Sequence, residues 1–183
     1  MNTDCLSQPA KDCGDQDEPG SSAEGEGPPE RASRPTSQTI DIISDAAPAA
    51  LLSRLHANAQ AVIPMLPRRL ERVAVRLADD ETMATLHATW CGRDGTTDVI
   101  TFESSPDGDL CADIAIGLNV AERVADERGH SLDHELTLYL IHGLLHCCGW
   151  NDQTPAEANS MRDEQDRILK AIGLDQISQE PDS

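Results

Sequence analysis

Leu140-Ile141-His142-Gly143-Leu144-Leu145-His146-Cys147-Cys148-Gly149-Trp150-Asn151-Asp152 is the stretch around which the chain organises itself. His142 and His146 are four residues apart, so on a helix they project from one face, one turn above the other. Gly149 supplies the left-handed residue that ends such a helix. The chain can turn there and bring Asp152 back towards the two imidazoles. Two imidazoles and one carboxylate leave a fourth position open, which is the ligand count of a catalytic zinc site. The other reading is a pair of buried histidines hydrogen-bonded to backbone, since a His-x3-His spacing alone is a weak signal. The apolar helix, the glycine stop and the carboxylate beyond it favour the metal.

Other donors fit less well. Cys147 and Cys148 are rotated roughly 100° and 200° from His146 at 3.6 residues per turn, and read as small core residues. His134 lies about 12 Å down the axis at 1.5 Å per residue. In His-Glu-x-x-His peptidases the glutamate serves as general base, but here Gly143 takes its place.

Outward from the motif, Ser131 is placed to cap its helix, preceded by a helix from Val120 to Arg128 that stops at Gly129. Thr154-Pro155-Ala156-Glu157 is a capping box with proline at the first helical position, opening a last helix that ends near Gly173. Upstream, Asp98–Phe102 and Asp113–Ile116 read as strands joined by a Ser-Ser-Pro-Asp-Gly-Asp turn. Val73–Leu77 alternates as a strand, and Thr39–Ile43 reads as a short one. Ala49–Val62 is helical, with Leu51, Leu52 and Leu55 on one side. Asp79-Asp80 opens a helix to about Trp90, with Met83, Leu86 and Trp90 at helical spacing. The expectation is an α+β fold: a small mixed four-stranded sheet packed with about five helices, the motif helix in the core.

Residues 1–36 hold almost no large apolar side chains and are expected to form a disordered acidic Gly/Pro/Ser-rich tail; residues 176–183 are expected to be a second tail. The folded domain is expected over residues 37–175. Formal net charge is −19, which repels nucleic acid and anionic membranes on average, so any nucleic-acid contact must be local. Arg68-Arg69-Leu70-Glu71-Arg72, with Arg76 nearby, is the candidate basic patch, and a solvated strand edge is its other reading. No apolar run reaches the roughly 18 residues of a membrane span, and the N-terminus lacks the features of a signal peptide. A soluble cytoplasmic protein with no membrane partner is the default expectation.

The motif resembles the signature of the YbeY-type rRNA maturation endoribonucleases, His-Gly-x-Leu-His-Leu-x-Gly-Tyr-Asp-His. Thr97-Asp98-Val99-Ile100-Thr101-Phe102 is similar to that family's Thr-Asp-Val-Leu-Ser-Phe strand, and Asp113-Ile114-Ala115-Ile116 to its Gly-Asp-Ile-Val-Ile strand. Met161 and Ile168-Leu169 match apolar positions of its final helix, so the likeness runs over residues 38–174. The resemblance implies a bacterial cytoplasmic enzyme with one Zn2+ per chain. It implies cleavage of single-stranded RNA, maturation of the 3′ end of small-subunit rRNA, and ribosome quality control. RNA and the ribosome or its small subunit would be the partners.

Two departures stand out. Asp152 occupies the place of the family's third histidine ligand, giving His142, His146 and Asp152 as the metal set, with an added negative charge expected to raise the pKa of a bound water. Cys91 stands where the family has an arginine thought to face the substrate phosphate. Arg93, the only Lys or Arg between residues 77 and 122, is the substitute candidate for substrate binding. No catalytic residue is assigned. Two alternatives remain: a zinc metallopeptidase of the His-His-Asp kind, and a catalytically weak ribosome-associated factor.

Overall fold

Residues 72–77 alternate between apolar and polar or small side chains, and the sheet is built on that alternation. The computed structural model describes residues 38–105 and 108–174 of the chain. The two expected tails, residues 1–36 and 176–183, lie outside the described residues. The four strands are β1 (Thr39–Ser44), β2 (Leu70–Ala78), β3 (Val99–Glu103) and β4 (Leu110–Gly117). Their order in the sheet is β1-β2-β4-β3; β1, β2 and β4 run parallel and β3 antiparallel to β4. Among the described residues, five α-helices accompany them: α1 (Ala49–Val62), α2 (Asp80–Leu86), α3 (Leu118–Arg128), α4 (Leu132–Cys147) and α5 (Pro155–Ala171). This is the expected α+β architecture. Among the described residues, no helix is long and apolar enough to cross a membrane.

Period-two alternation sends Val73, Val75 and Leu77 of β2 to one face, and Leu110, Ala112, Ile114 and Ile116 of β4 to the same core. Leu51, Leu55, Ala59 and Val62 of α1 pack there, along with nearly every residue of α4. Buried from His134 to Cys147, α4 is the central helix. The opposite face of the sheet carries only a small apolar cluster of Ala78, Met83, Ile100 and Ala115, with Leu86 and Phe102 at its margin. Elsewhere on that face Arg72 pairs with Asp113 (3.0 Å) and Arg76 with Asp45 (3.0 Å).

Local signals placed the helix ends. The Asp79 carboxylate accepts from Thr82 N–H at 2.9 Å at the start of α2. Ser131 Oγ accepts from His134 N–H at 3.1 Å. Thr154 and Glu157 form the reciprocal capping box of α5. One expectation changes. The helix expected to run regularly to Trp90 becomes a π-helical turn over His87–Cys91. The widened turn rotates Trp90 off the stripe of Met83 and Leu86, and the indole is 58% exposed.

The arginine cluster also reads differently in three dimensions. Arg68 is directed inward. Its guanidinium donates to the Glu103 carboxylate, to the Gly108 carbonyl (2.9 Å), to the Ser105 carbonyl, and to the Cys147 carbonyl (2.7 Å) at the end of α4. Arg68 therefore ties the β3–β4 connection to the last turn of the motif helix, where helical carbonyls lack intrahelical donors. Arg72 and Arg76 are also paired to carboxylates, so of the candidate patch only Arg69 stands exposed without one among the described residues.

Replacing Arg68 by alanine strands the largely buried Glu103 carboxylate and uncaps α4. Arg68→Ala is expected to lower stability by about 2–3 kcal/mol, read as a reduced urea midpoint at unchanged slope. A midpoint matching wild type would reduce the cluster to surface decoration.

Candidate metal centre

Placing two imidazoles inside a core helix creates four ring nitrogens that need partners, and the chain supplies them from three directions. His142 and His146 are both buried, with ring centroids 4.4 Å apart and planes nearly perpendicular at 85°. Their Nε2 atoms face one another at 3.0 Å. On the far sides, His146 Nδ1–H donates to the Trp150 carbonyl (2.9 Å), and the side-chain amide of Gln165 lies 2.7 Å from His142 Nδ1. The contacting atom is the amide nitrogen of Gln165, a donor; with the amide turned over, its oxygen would accept Nδ1–H and leave Nε2 with its lone pair turned inward.

The turn after α4 makes this arrangement possible. Gly149 sits at φ 90°, a conformation that costs a Cβ-bearing residue dearly. Gly149 N–H returns to the His146 carbonyl at 2.8 Å and Trp150 N–H to the Leu145 carbonyl at 3.1 Å, the paired bonds of a Schellman stop. That reversal presents the Trp150 carbonyl to His146 and carries Asp152 back over the imidazoles. Asp152 Oδ2 lies 3.9 Å from His142 Nε2, and Oδ1 lies 4.0 Å from His146 Nε2.

The donor set fits a metal ion. One ligand atom from each of His142, His146 and Asp152 lies within 4.8 Å of the others. For bonds of about 2.0–2.2 Å in a tetrahedron, ligand atoms stand about 3.3–3.6 Å apart, close to the spacing found between these donors. Among the described residues this is the single group of three or more His, Cys, Asp or Glu side chains so arranged.

Electrostatics keeps the imidazoles in the form that ligates. Burial, together with the neighbouring imidazole, pushes His142 down to about 4, against the attraction of Asp98 and Asp152. Burial also lowers His146, opposed by its bond to Trp150 and by Asp152 and Asp98. Burial pushes the Cys147 thiol up to about 12, so it is no thiolate at neutral pH. Cys147 and Cys148 remain free thiols packed with the core.

Three partners escaped sequence reading. Gln165 lies on the buried stripe of α5 with Met161, Ile168 and Leu169; a polar residue at an apolar-stripe position was its available signal. Asp98, also buried, heads β3 with its Oδ1 accepting from Thr97 Oγ1 (3.1 Å) and Val99 N–H (2.9 Å), and its charge acts on both imidazoles. The Trp150 carbonyl depends on the turn alone. Arg93 lies in the exposed segment that links the π-helical turn to β3. Gly143, between the histidines, faces the sheet. A Cβ there would stand 3.0 Å from Thr101 Cγ2 and 3.2 Å from Val99 Cγ2. A glutamate base at this position would have to push these sheet methyls back by a few tenths of an ångström.

A family model described as Endoribonuclease YbeY matches residues 35–173. The chain is 35% identical over 124 residues to the Endoribonuclease YbeY of Anaeromyxobacter dehalogenans, covering 66% of this chain and 64% of the relative. It is 40% identical over 114 residues to that of Moorella thermoacetica, covering 56% of this chain and 73% of the relative. The chain thus spans just under two thirds of the length of the Anaeromyxobacter relative. The solution structure of TM1509 from Thermotoga maritima superposes with a TM-score of 0.55 at 22% identity, covering 73% of this chain and 89% of that one, a likeness of fold.

Two outcomes are expected at this centre. Asp152→Ala should sharply weaken metal affinity in a chelator competition, and Gln165→Leu should weaken it about 10–100-fold; unchanged affinity in Asp152→Ala would exclude a three-donor site. The metal-free protein should also be acid-labile. Burial lowers His134, His142 and His146, so below pH 6.5 the unfolded chain takes up protons that the folded one refuses. Stability then falls as pH drops from about 6.5 towards 4. Urea midpoints that stay level across this window would contradict the assignment.

Proposed function

Because the chain belongs to the Endoribonuclease YbeY family, we propose that it is a zinc-dependent endoribonuclease that cleaves single-stranded RNA. The observation that carries this reading is the convergence of His142 Nε2, His146 Nε2 and an Asp152 oxygen within 4.8 Å in a domain matched by that family. His142, His146 and Asp152 would hold one zinc ion per chain. Two neutral nitrogens and one anionic oxygen suit a borderline ion such as zinc. When bound, the ion supplies Lewis-acid polarisation of a phosphoryl oxygen and lowers the pKa of water.

The chain's own groups do the rest. Gln165 and the Trp150 carbonyl orient the two rings, and Asp98 adds negative charge beside them. Asp152 lowers the net charge of the centre below that of a three-histidine site, so a slower reaction at neutral pH is expected. Arg93, on the exposed loop that leads to Asp98, is assigned to the substrate phosphate in the place that Cys91 leaves without a cation. The biological substrate is the 3′ end of small-subunit rRNA, and the partner is the ribosome or its small subunit, within maturation and quality control in a bacterial cytoplasm. A peptidase reading is disfavoured because Gly143, packed against methyls of the sheet, stands where that motif carries its glutamate base.

Protein purified without added metal is expected to carry about one zinc per chain by elemental mass spectrometry. It should cut single-stranded RNA and spare duplex RNA, lose this activity to a chelator, and be weakened at least tenfold by Arg93→Ala. Zinc-loaded protein that sediments with small subunits but leaves RNA intact would instead support a ribosome-associated factor without catalysis.

A further inference from the structure

The chain has four aromatic residues besides histidine, two Trp, one Tyr and one Phe, and two of these four meet at the surface. Trp90 stands edge-on to Phe102, with centroids 5.4 Å apart and planes at 72°, and is 58% exposed. Phe102 is anchored beside the Ala78, Met83, Ile100 and Ala115 cluster, so the indole rests on a fixed support. The π-helical turn that displaces Trp90 from the helix stripe is a feature frequent at functional sites.

Its location is informative. Phe102 lies on β3, an edge strand of the sheet. On the other face of the same strand, Val99 and Thr101 approach Gly143, which follows His142 on α4. Asp98, whose charge reaches both imidazoles, heads β3. A single edge strand therefore separates the aromatic pair from the metal-donor helix.

Charge favours a contact of this kind. Net charge is −19, and Arg54, Arg68, Arg72, Arg76, Arg123, Arg128 and Arg167 are each paired with a carboxylate. Seven of the eleven Lys and Arg side chains among the described residues are thus engaged, which leaves few cations, Arg69, Arg162 and Lys170 among them, for the phosphate contacts that usually supply affinity for nucleic acid. Stacking needs no cation and accepts any base, because every base has a π-face.

We propose that Trp90, buttressed by Phe102, is a stacking platform for a base of single-stranded RNA on the approach to the metal centre. This inference rests on the RNA-cleaving reading given above. The test is binding of a fluorescein-labelled oligoadenylate to the full chain by anisotropy, with an abasic oligomer of equal length as control. Trp90→Ala should weaken oligoadenylate binding by roughly 5- to 150-fold, Trp90→Phe should retain most of it, and the slope against salt should stay the same. The abasic oligomer should bind wild type and Trp90→Ala equally. Melting temperatures matched to wild type exclude misfolding as the cause, and a destabilised Trp90→Ala is replaced in the comparison by Trp90→Leu. Equal oligoadenylate affinity in wild type and a folded Trp90 variant overturns the platform and leaves the aromatic pair as a protein-docking element. Wild type that binds no oligoadenylate overturns the RNA reading itself, and the platform with it.

Discussion

A buried imidazole nitrogen without a partner is costly, and of the three buried histidines of α4, His142 and His146 stand one turn apart with their ring nitrogens engaged, whereas His134 leaves Nε2 unpaired among the described residues. Much of the surrounding structure serves those two rings. The Schellman turn at Gly149 delivers the Trp150 carbonyl to one ring, and α5 delivers Gln165 to the other. With the outer nitrogens engaged, the inner Nε2 atoms have Asp152 before them at 3.9 and 4.0 Å. The same burial that makes this site costly to build also holds both rings neutral, which is the state in which a histidine can ligate a metal.

Close packing of α4 on the sheet is the second condition. Gly143 lets the helix approach β3 and β4 until methyl groups of Thr101, Val99 and Ile114 would crowd a Cβ at 3.0–3.4 Å. The approach sets the distance between the donor helix and Asp98 at the head of β3. It also accounts for a glycine, rather than a larger residue, directly after His142. Arg68 secures the far end of the helix by joining the Cys147 carbonyl to Glu103 and the β3–β4 connection. An arginine that looks like part of a nucleic-acid patch in one dimension is a structural clip in three.

The charge pattern follows from this use of arginine. Cations in an acidic chain find carboxylates close at hand, and each pair formed removes a contact that phosphate could have used.

By itself the sequence determined the local order: the alternation of β2, the caps at Asp79, Ser131 and Thr154, the stops at Gly129 and Gly149, and hence the element order of the α+β fold. Those features depend on neighbouring residues, so they are readable one window at a time. The spacing of His142 and His146 was legible for the same reason, and Asp152 because a short turn can close the gap. Tertiary structure alone decided what lies across the fold. Gln165 reaches His142 from 23 residues away, Arg68 reaches Cys147 from 79, and Trp90 leaves its expected stripe when a turn widens against the sheet. Such contacts depend on which helix face meets which strand, and that is settled by packing of the whole core, where no local pattern of residue types carries the information.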